Sequence, residues 1–289
     1  MDAGTRIEEA LATAIAAVED PSAPPGLAAA VRHAVFPGGA RIRPRLCLAV
    51  AQACGDDAPP VTDAAAAAIE LLHCASLVHD DLPCFDDAEV RRGRPSVHRQ
   101  FGEALAVLAG DALIVLAFQA LVRVAETSPL RLPALLLVVG RCAGAPAGIV
   151  AGQAWECERQ VVLADYQRAK TGALFVAATV AGAVAAGAES DPWRAVGERL
   201  GEAYQIADDI RDVVAHPEEI GKPVGRDAVL DRPSAARQLG LHGAVTRFEE
   251  LLGNAAGAVP ACAGAAALRA LIQSEAARLL PKNLARRAA

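Results

Sequence analysis

The chain contains 289 residues, of which 53% are hydrophobic and only 3% aromatic, and it carries a net charge of −6 at pH 7. This hydrophobic content supplies a sizeable core and argues against a disordered chain, while the absence of a large basic run argues against nucleic-acid binding. Because the apolar residues are mostly Ala, Val and Leu, the composition favours tightly packed helices over a β-sandwich or barrel.

Helical periodicity runs through almost the whole chain, and no stretch alternates with period two for long enough to predict a sheet. Turn-forming clusters rich in glycine, proline and aspartate separate the predicted helices. The predicted helices span residues 4–19, 25–34, 41–54, 61–82, 101–125, 131–155, 163–188, 191–214, 234–253 and 264–279. Because no linker is long or polar enough to divide the chain, we predict a single all-α domain over residues 1–289.

Two long apolar stretches, 104–124 and 172–188, invite a membrane interpretation. Asp111 and Gln119 interrupt the first stretch, and the second is short and weakly hydrophobic because it is mostly Ala and Gly. We therefore predict central helices buried on all sides, without stable membrane insertion.

The seven cysteines are scattered and form neither a CxxC pair nor a zinc-ligand spacing. We predict reduced thiols that serve as small core residues of a cytoplasmic protein. The first twenty residues carry acids and a helical period, and they lack the basic start, apolar run and cleavage site of a signal peptide.

A first acidic cluster, HDDLPCFDD at residues 79–87, ends one of the apolar predicted helices. Asp80 and Asp86 are six residues apart, about 240° around an ideal helix, so they do not share a face if the helix continues. Pro83 removes a backbone donor and restrains the residue before it. We therefore predict that the helix ends or distorts near Pro83, which returns Asp86 towards Asp80 and Asp81. The alternative is an acidic loop after a helix.

A second acidic cluster, YQIADDIRD, occupies residues 204–212. Asp208 and Asp212 are four residues apart and therefore lie on one face of a helix, where like charges repel each other. A hard divalent cation relieves this repulsion, and Mg²⁺ usually keeps several waters and a substrate phosphate among its ligands. The alternative is a solvated acidic face on which Arg211 is the partner.

Basic residues beside glycines and turns are interleaved with the two acidic clusters. They are Arg41, Arg43, Arg91, Arg92, Arg94, Arg99, Lys170, Lys222 and Arg226. Arginine forks match the oxygens of phosphate groups, so carboxylates, arginines and flexible glycines together predict a metal-bridged diphosphate. Surface ion pairing remains the alternative for Arg94 and Arg99.

These motifs resemble those of the trans-polyprenyl diphosphate synthases, which elongate isoprenoid chains head to tail. Residues 79–98 resemble the first aspartate-rich motif of that family in its DDxxxxD form, and residues 204–212 resemble the second, DDxxD. The segments GGARIRP, KTGALF and GKPVGRDAVLDRPSA also occur at the places in the chain where the family has them. The resemblance therefore covers about residues 30–240. The segments HCASLVHDDLP and GKPVGRD are most similar to those of bacterial geranylgeranyl diphosphate synthases of carotenoid and bacteriochlorophyll pathways.

The resemblance implies an all-α bundle of long antiparallel helices around a deep central cavity, usually as a homodimer. It implies Mg²⁺ as cofactor, three ions per active site with Mn²⁺ as a substitute. The substrates it implies are isopentenyl diphosphate and an allylic diphosphate (dimethylallyl, geranyl or farnesyl). The product it implies is geranylgeranyl diphosphate.

The resemblance also implies a role for individual residues. The implied metal ligands are Asp80, Asp81, Asp86, Asp208, Asp209 and Asp212. The implied allylic diphosphate ligands are Arg91, Lys170 and Lys222, and those for isopentenyl diphosphate are Arg43, His73 and Arg92. Thr171 and Gln205 are implied beside the developing carbocation, where they complete the catalytic set of Asp80, Asp81, Asp86, Lys170 and Asp208.

Two positions depart from the family pattern. Ala40 stands where the family motif GGKxxRP has a lysine for isopentenyl diphosphate, which predicts weaker binding of this substrate unless Arg41 or Arg45 substitutes. Later in the chain, Arg232 stands where the family usually has a lysine. Neither change removes an implied metal ligand.

Product length in the family depends on the depth of the cavity below the first aspartates. Ala75 and Ser76 lie four to five residues before Asp80, about one turn further down the helix, and both are small. We therefore predict a product of twenty carbons or longer. The alternative is that Ala75 merely allows close helix packing. A shorter or longer product, a non-catalytic partner subunit and a class I terpene cyclase are the other functions compatible with these motifs.

Overall fold

The computed structural model describes residues 2–36, 38–214 and 235–277. Lys222, Arg226 and Arg232 lie outside the described residues. The helices are α1 (Ala3–Ile15), α2 (Pro25–Val35), α3 (Ile42–Cys54), α4 (Pro59–Asp80), α5 (Val97–Phe101), α6 (Glu103–Val122), α7 (Leu132–Ala143), α8 (Ile149–Ala154), α9 (Leu163–Gln167), α10 (Ala173–Ala185), α11 (Asp191–Val214), α12 (Ala235–Gly257) and α13 (Ala265–Ala277). The predicted all-α class is confirmed.

Three short elements interrupt this helical pattern. Strands β1 (Val90–Arg91) and β2 (Arg94–Pro95) form a two-residue antiparallel ribbon that the sequence did not predict. A 3₁₀ turn, Trp155–Cys157, follows α8, and a π-helical turn, Arg168–Gly172, joins α9 to α10. Both turns lie beside the cavity described below.

Helices α4 and α10 form the centre of the bundle. Every residue of α10 is buried, and α4 buries most of its length. The small residues of α10 allow close approach to its neighbours, since a Cβ on Gly182 would come within 2.5 Å of the carbonyl oxygen of Cys47 on α3. The Ala-rich composition therefore permits close helix packing with few aromatic residues.

The prediction that both apolar stretches are helices buried on all sides is confirmed for α10 and wrong for α6. By length and composition α4 and α6 could each cross a membrane, which is weak evidence because core helices of soluble proteins pass the same test. Most of the apolar window of α4 is buried inside the bundle, whereas α6 keeps more than half of its window uncovered. The second stretch singled out from the sequence, 172–188, contains α10 and is buried in the core.

Three predicted helices are divided in the structure. The predicted helix 131–155 breaks between Ala143 and Ile149, where a proline stands between two glycines. The predicted helix 163–188 contains α9, the π turn and α10. The predicted helix 101–125 begins only after Gly102, whose φ of 87° is readily adopted by glycine alone.

All seven cysteines are free thiols, and Cys47, Cys74 and Cys142 are buried as predicted. Cys84 and Cys157 are exposed, so the prediction that the cysteines are core residues is wrong for these two. Both follow the ends of helices, where the helical period no longer indicates which side chains face the core.

Candidate active site

A cavity of about 890 Å³ opens among α3, α4, α6, the π turn and α11. Charged side chains line one part of it and apolar side chains line the rest. The cations among the described lining residues are Arg41, Arg43, Arg91, Arg92, Lys170 and Arg211, against the carboxylates Glu70, Asp80 and Asp208. This excess of positive charge in a confined space favours an anionic ligand.

The first acidic cluster follows the predicted geometry. Helix α4 ends at Asp80, and turns occupy the residues around Pro83, which confirms that the helix ends before the proline. The backbone N–H of Asp86 donates to the carbonyl of Asp80 at 2.9 Å, so the chain folds back on the helix end. Of the three predicted aspartate ligands in this cluster, Asp80 lines the cavity.

Asp81 is held in the wall of the bundle by Arg91. Its side chain is 2% exposed, and Arg91 Nε donates to both carboxylate oxygens at 3.0 and 3.2 Å. Burial raises the pKa of Asp81, and the ion pair with Arg91 opposes that rise. The structure therefore places Asp81 where it fixes Arg91 at the cavity, and its role as a metal ligand stays a prediction.

Lys170 lies between two carboxylates at the cavity. Its Nζ donates to Glu156 Oε1 at 2.6 Å and to Asp80 Oδ1 at 3.3 Å. The π turn that carries Lys170 packs directly on α8, and a Cβ on Gly152 would collide with the Lys170 backbone. Such π turns occur frequently at functional sites.

Glu156 is a site residue that sequence reasoning missed. Besides Lys170, it accepts hydrogen bonds from Tyr166 at 2.5 Å and from Gln153 at 3.2 Å. Its side chain is 15% exposed. A lone acid in a short 3₁₀ turn gives no periodic signal, so only the tertiary contact with Lys170 reveals it. Its position indicates that Glu156 orients the ammonium group of Lys170.

We expect Glu156→Gln to lower turnover about tenfold and to raise the Mg²⁺ concentration needed for half-maximal activity. Without the negative charge of Glu156, Lys170 pairs more closely with Asp80, and a charge-assisted hydrogen bond of roughly 1.5–3 kcal/mol is lost. Steady-state kinetics over a Mg²⁺ titration measure both effects. Glu156→Asp should recover part of the activity, and a Glu156→Gln enzyme with unchanged Mg²⁺ dependence would contradict the assignment.

The second acidic cluster lies on α11. Asp208 lines the cavity, whereas Asp209 is 2% exposed and accepts a hydrogen bond from Gln205 Nε2 at 2.9 Å. Thr171 Oγ1 donates to Gln205 Oε1 at 2.7 Å, and Thr171 itself lines the cavity. Gln205 is thus held by Thr171 and Asp209 and is not among the residues that line the described cavity wall, and its role beside the carbocation stays a prediction.

The aspartates fit a Mg²⁺ site that is completed by substrate. Asp80 and Asp208 face one cavity, although no three His, Cys, Asp or Glu side chains among the described residues form a metal-ligand group by themselves. Mg²⁺ is usually bound by one or two carboxylates together with waters and substrate phosphates. The two carboxylates therefore suit Mg²⁺ as ligands, and the excess of cations suits a diphosphate bound together with the metal. Asp86, Asp209 and Asp212 do not line the described cavity wall.

Arg43 forms a second cationic part of the cavity wall, beside the aromatic rings of α10 and α11. Arg43 is 8% exposed, and its guanidinium carbon lies 5.0 Å from the Phe175 ring and 5.5 Å from the Tyr204 ring. Its Nε has no acceptor among the described residues. A buried cation without a carboxylate partner is costly, so this position suits an anionic ligand.

His73 and Arg92 complete this part of the wall. Removal from water lowers the pKa of His73 well below its usual value, and the nearby charges of Arg43 and Arg92 lower it further. His73 is therefore neutral at pH 7 and adds no charge to this part of the wall. The predicted ligands of isopentenyl diphosphate thus lie together in the structure.

Arg41 is fully engaged by protein groups. Its guanidinium donates to Glu8 at 2.8 Å, to the buried Glu70 at 2.7 Å and to the carbonyl of Val35 at 2.8 Å. Burial alone would lower the pKa of Arg41, but the two carboxylates outweigh it and raise the pKa. Arg41 is therefore a structural cation, and it does not supply the charge missing at Ala40.

Arg45, the second residue considered for that role, has an exposed side chain beside α1 and does not line the cavity. Glu70, which sequence reasoning missed, also lies within 3.9 Å of Arg92. Its carboxylate therefore links the structural Arg41 to a cation that faces the cavity.

The apolar part of the cavity lies below Asp80. Ala75 and Ser76 both line it, as predicted, and Leu72 lines it one turn further along α4. The sequence did not place the facing part of α6, and the structure brings Ile114 and Phe118 from that helix into the wall. A charged mouth above an apolar chamber suits a ligand with an anionic head and a hydrocarbon tail.

Comparison with known proteins identifies the family to which this chain belongs. The family model described as polyprenyl synthetase matches residues 24–266. The chain is 53% identical to a geranylgeranyl diphosphate synthase of Cereibacter sphaeroides, covering 98% of each chain. It is 50% identical to the geranylgeranyl diphosphate synthase of Rhodobacter capsulatus, covering 97% of each. The chain belongs to the polyprenyl synthetase family.

Solved structures agree with this assignment. An FPP/GFPP synthase of Zymomonas mobilis superposes with a TM-score of 0.79 at 31% identity, covering 94% of this chain and 96% of that one. A geranyltransferase of Helicobacter pylori, complexed with magnesium and isoprenyl diphosphate, gives a TM-score of 0.76 at 28% identity, covering 94% and 96%. The chain therefore has the fold of these prenyltransferases.

Proposed function

We propose that this protein is a geranylgeranyl diphosphate synthase that condenses isopentenyl diphosphate with dimethylallyl, geranyl or farnesyl diphosphate. The observation that carries the proposal is one cavity that combines a cationic mouth, two facing aspartates and an apolar chamber. The 53% identity to a geranylgeranyl diphosphate synthase over nearly the whole chain supports the same conclusion.

The allylic diphosphate is held by Lys170 and Arg91 beside Asp80. Asp81 fixes Arg91, and Glu156 fixes Lys170, so both cations are oriented before substrate binds. Mg²⁺ held by Asp80 and Asp208 supplies further positive charge to the leaving group when it is bound. Preorganised cations of this kind stabilise the negative charge that develops as the allylic C–O bond breaks and its electron pair leaves with diphosphate.

The carbocation forms beside the wall that carries Thr171. Because the Thr171 hydroxyl donates its proton to Gln205, and Asp209 fixes the Gln205 amide, the hydroxyl oxygen keeps its lone pairs for the cavity. The double bond of isopentenyl diphosphate attacks the cation, and the released diphosphate takes the proton that is then lost. Apolar residues exclude water, which would otherwise quench the cation.

The test is a product analysis with the purified protein. It is incubated with Mg²⁺, isopentenyl diphosphate and farnesyl diphosphate, and the products are treated with phosphatase and identified as alcohols. A linear C20 alcohol supports the proposal. A cyclic hydrocarbon would refute it in favour of a terpene cyclase, and no product with any allylic primer would favour a partner subunit.

We also propose that the protein is a homodimer that buries one face of α6. Leu108, Val115 and Val122 recur every seven residues on this helix, and all three are exposed. Residues seven apart lie on one face of a helix, so these three side chains form an apolar face, interrupted by Asp111, of the kind that packs against a partner. A second copy of the chain presents the same face and covers it. A cytoplasmic location without membrane insertion or nucleic-acid partner stays a prediction.

We expect Val115→Glu to convert the dimer into a monomer, because it places a charge in the centre of the apolar face. Light scattering after size-exclusion chromatography measures the mass directly. Leu130→Glu is a matched control, since Leu130 is exposed on a loop outside α6. A wild-type mass of one chain, or an unchanged dimer in Val115→Glu, would contradict the proposed interface.

A further inference from the structure

Ala40 stands where the family motif has a lysine, and neither Arg41 nor Arg45 replaces the positive charge of that lysine. Arg41 is engaged by two carboxylates, and Arg45 does not line the cavity. Another cation does line the same cavity as Ala40. It is Arg211, which stands inside the second aspartate-rich motif.

Arg211 and Arg43 both lie against the ring of Tyr204. The guanidinium carbons of Arg43 and Arg211 are each 5.5 Å from the centroid of the Tyr204 ring. Contact with the Tyr204 ring restricts both side chains at the cavity wall, which all three residues line. Because Arg43 is buried with an Nε that has no acceptor among the described residues, this corner is prepared for an anion.

The contacts of Arg211 leave it donors for a ligand. Its Nε donates to the carbonyl of Ala207 at 3.3 Å, and its Nη2 donates to Asp208 Oδ1 at 3.1 Å. Within the described part of the chain these are its hydrogen-bond acceptors, and a guanidinium carries five N–H groups. The side chain of Arg211 is 27% exposed and that of Asp208 is 38% exposed, so their ion pair is weak.

We propose that Arg211 binds the diphosphate of isopentenyl diphosphate together with Arg43, and so replaces the lysine that is missing at residue 40. This inference rests on the proposed prenyl synthase function and assigns one further residue of its substrate site. Arginine suits the role because its planar fork binds two phosphate oxygens at once. The alternative role is that of a structural partner of Asp208 alone.

The test is direct binding of isopentenyl diphosphate to Arg211→Leu by calorimetry, without an allylic substrate so that no turnover occurs. We expect the dissociation constant to rise roughly 10- to 100-fold, the range for a lost charge-assisted hydrogen bond. Arg211→Lys should lose less, because it keeps the charge. Arg194→Leu is the matched control, since Arg194 is exposed on the same helix and does not line the cavity.

A second variant decides whether Arg211 has the role of the missing lysine. Ala40→Lys in the Arg211→Leu background should restore most of the affinity for isopentenyl diphosphate. The KM for farnesyl diphosphate should stay within about twofold of wild type in all these variants. Thermal unfolding and circular dichroism confirm that each variant is folded.

Two results would overturn the inference. One is an unchanged dissociation constant in a folded Arg211→Leu protein, and the other is a loss that affects farnesyl diphosphate and Mg²⁺ dependence instead. Both differ from a failure of the proposed function, which would appear as a wild-type protein that binds isopentenyl diphosphate but makes no prenyl product.

Discussion

Asp80→Asn is expected to lower turnover by about 10²- to 10⁴-fold. Asp80 is the carboxylate of the first acidic cluster that lines the described cavity wall, and it also contacts Lys170 at 3.3 Å. Replacing its carboxylate by an amide keeps the size of the side chain but removes a charge that the proposed metal site requires. Several kcal/mol of transition-state stabilisation depend on that charge, and each 1.36 kcal/mol corresponds to a factor of ten in rate.

Steady-state kinetics with farnesyl diphosphate as the varied substrate measure this loss. Asp57→Asn is a suitable control, because Asp57 is an exposed acid outside the cavity wall, 2.7 Å from Arg131. Binding of isopentenyl diphosphate, measured without an allylic substrate, should be unchanged in Asp80→Asn, since its proposed ligands lie elsewhere in the cavity. More than a tenth of the wild-type turnover in Asp80→Asn would refute the assigned role.

Local rules predicted the parts of the site that depend on neighbouring residues. Pro83 predicted the end of α4, because a proline three residues beyond Asp80 lacks the backbone N–H that a continuing helix needs. The pairing of Arg211 with Asp208 was also foreseen as an alternative and is present, since both residues lie within one turn of α11. These features need only the geometry of a single helix.

Contacts between distant segments could not be predicted in this way. Glu156 and Glu70 are isolated acids in sequence, and they acquire a role only when the fold brings them to Lys170 and Arg41. Likewise, Gln205 and Thr171 were predicted together, and the rotation of α11 brings Gln205 to the Thr171 hydroxyl, which itself lines the cavity. That rotation is set by packing against α10 and α12, which helical periodicity does not specify.

The family resemblance indicated which roles the site residues have, but it did not show which residue takes each role. It indicated a lysine role at residue 40 that the chain lacks, and only the structure shows that Arg41 is engaged and that Arg211 faces the same cavity. A departure from a motif is therefore informative when the three-dimensional neighbours of the missing group are known. The same reasoning applies to product length. The family resemblance indicates that cavity depth sets the length, and the structure shows which residues line this cavity.

Ala75→Phe is expected to shift the main product from C20 to C15. Ala75 is 2% exposed and lines the cavity five residues before Asp80, about 7.5 Å further along α4. A phenyl ring there fills the chamber at this level, because the adjacent wall is formed by residues of packed helices that yield little. A growing chain that meets the ring leaves the enzyme one isoprene unit earlier.

The opposite change should lengthen the product. Phe118→Ala removes a ring that α6 contributes to the same chamber, and the space it leaves extends the room for the tail. Chromatography of the dephosphorylated products from both variants measures the two shifts, and thermal unfolding monitors the core. If Ala75→Phe folds and still makes the C20 product, Ala75 serves only close helix packing, and the boundary of the chamber lies elsewhere. A shorter product from Ala75→Phe together with a longer one from Phe118→Ala would locate that boundary between α4 and α6, since the two substitutions act on one space from opposite helices.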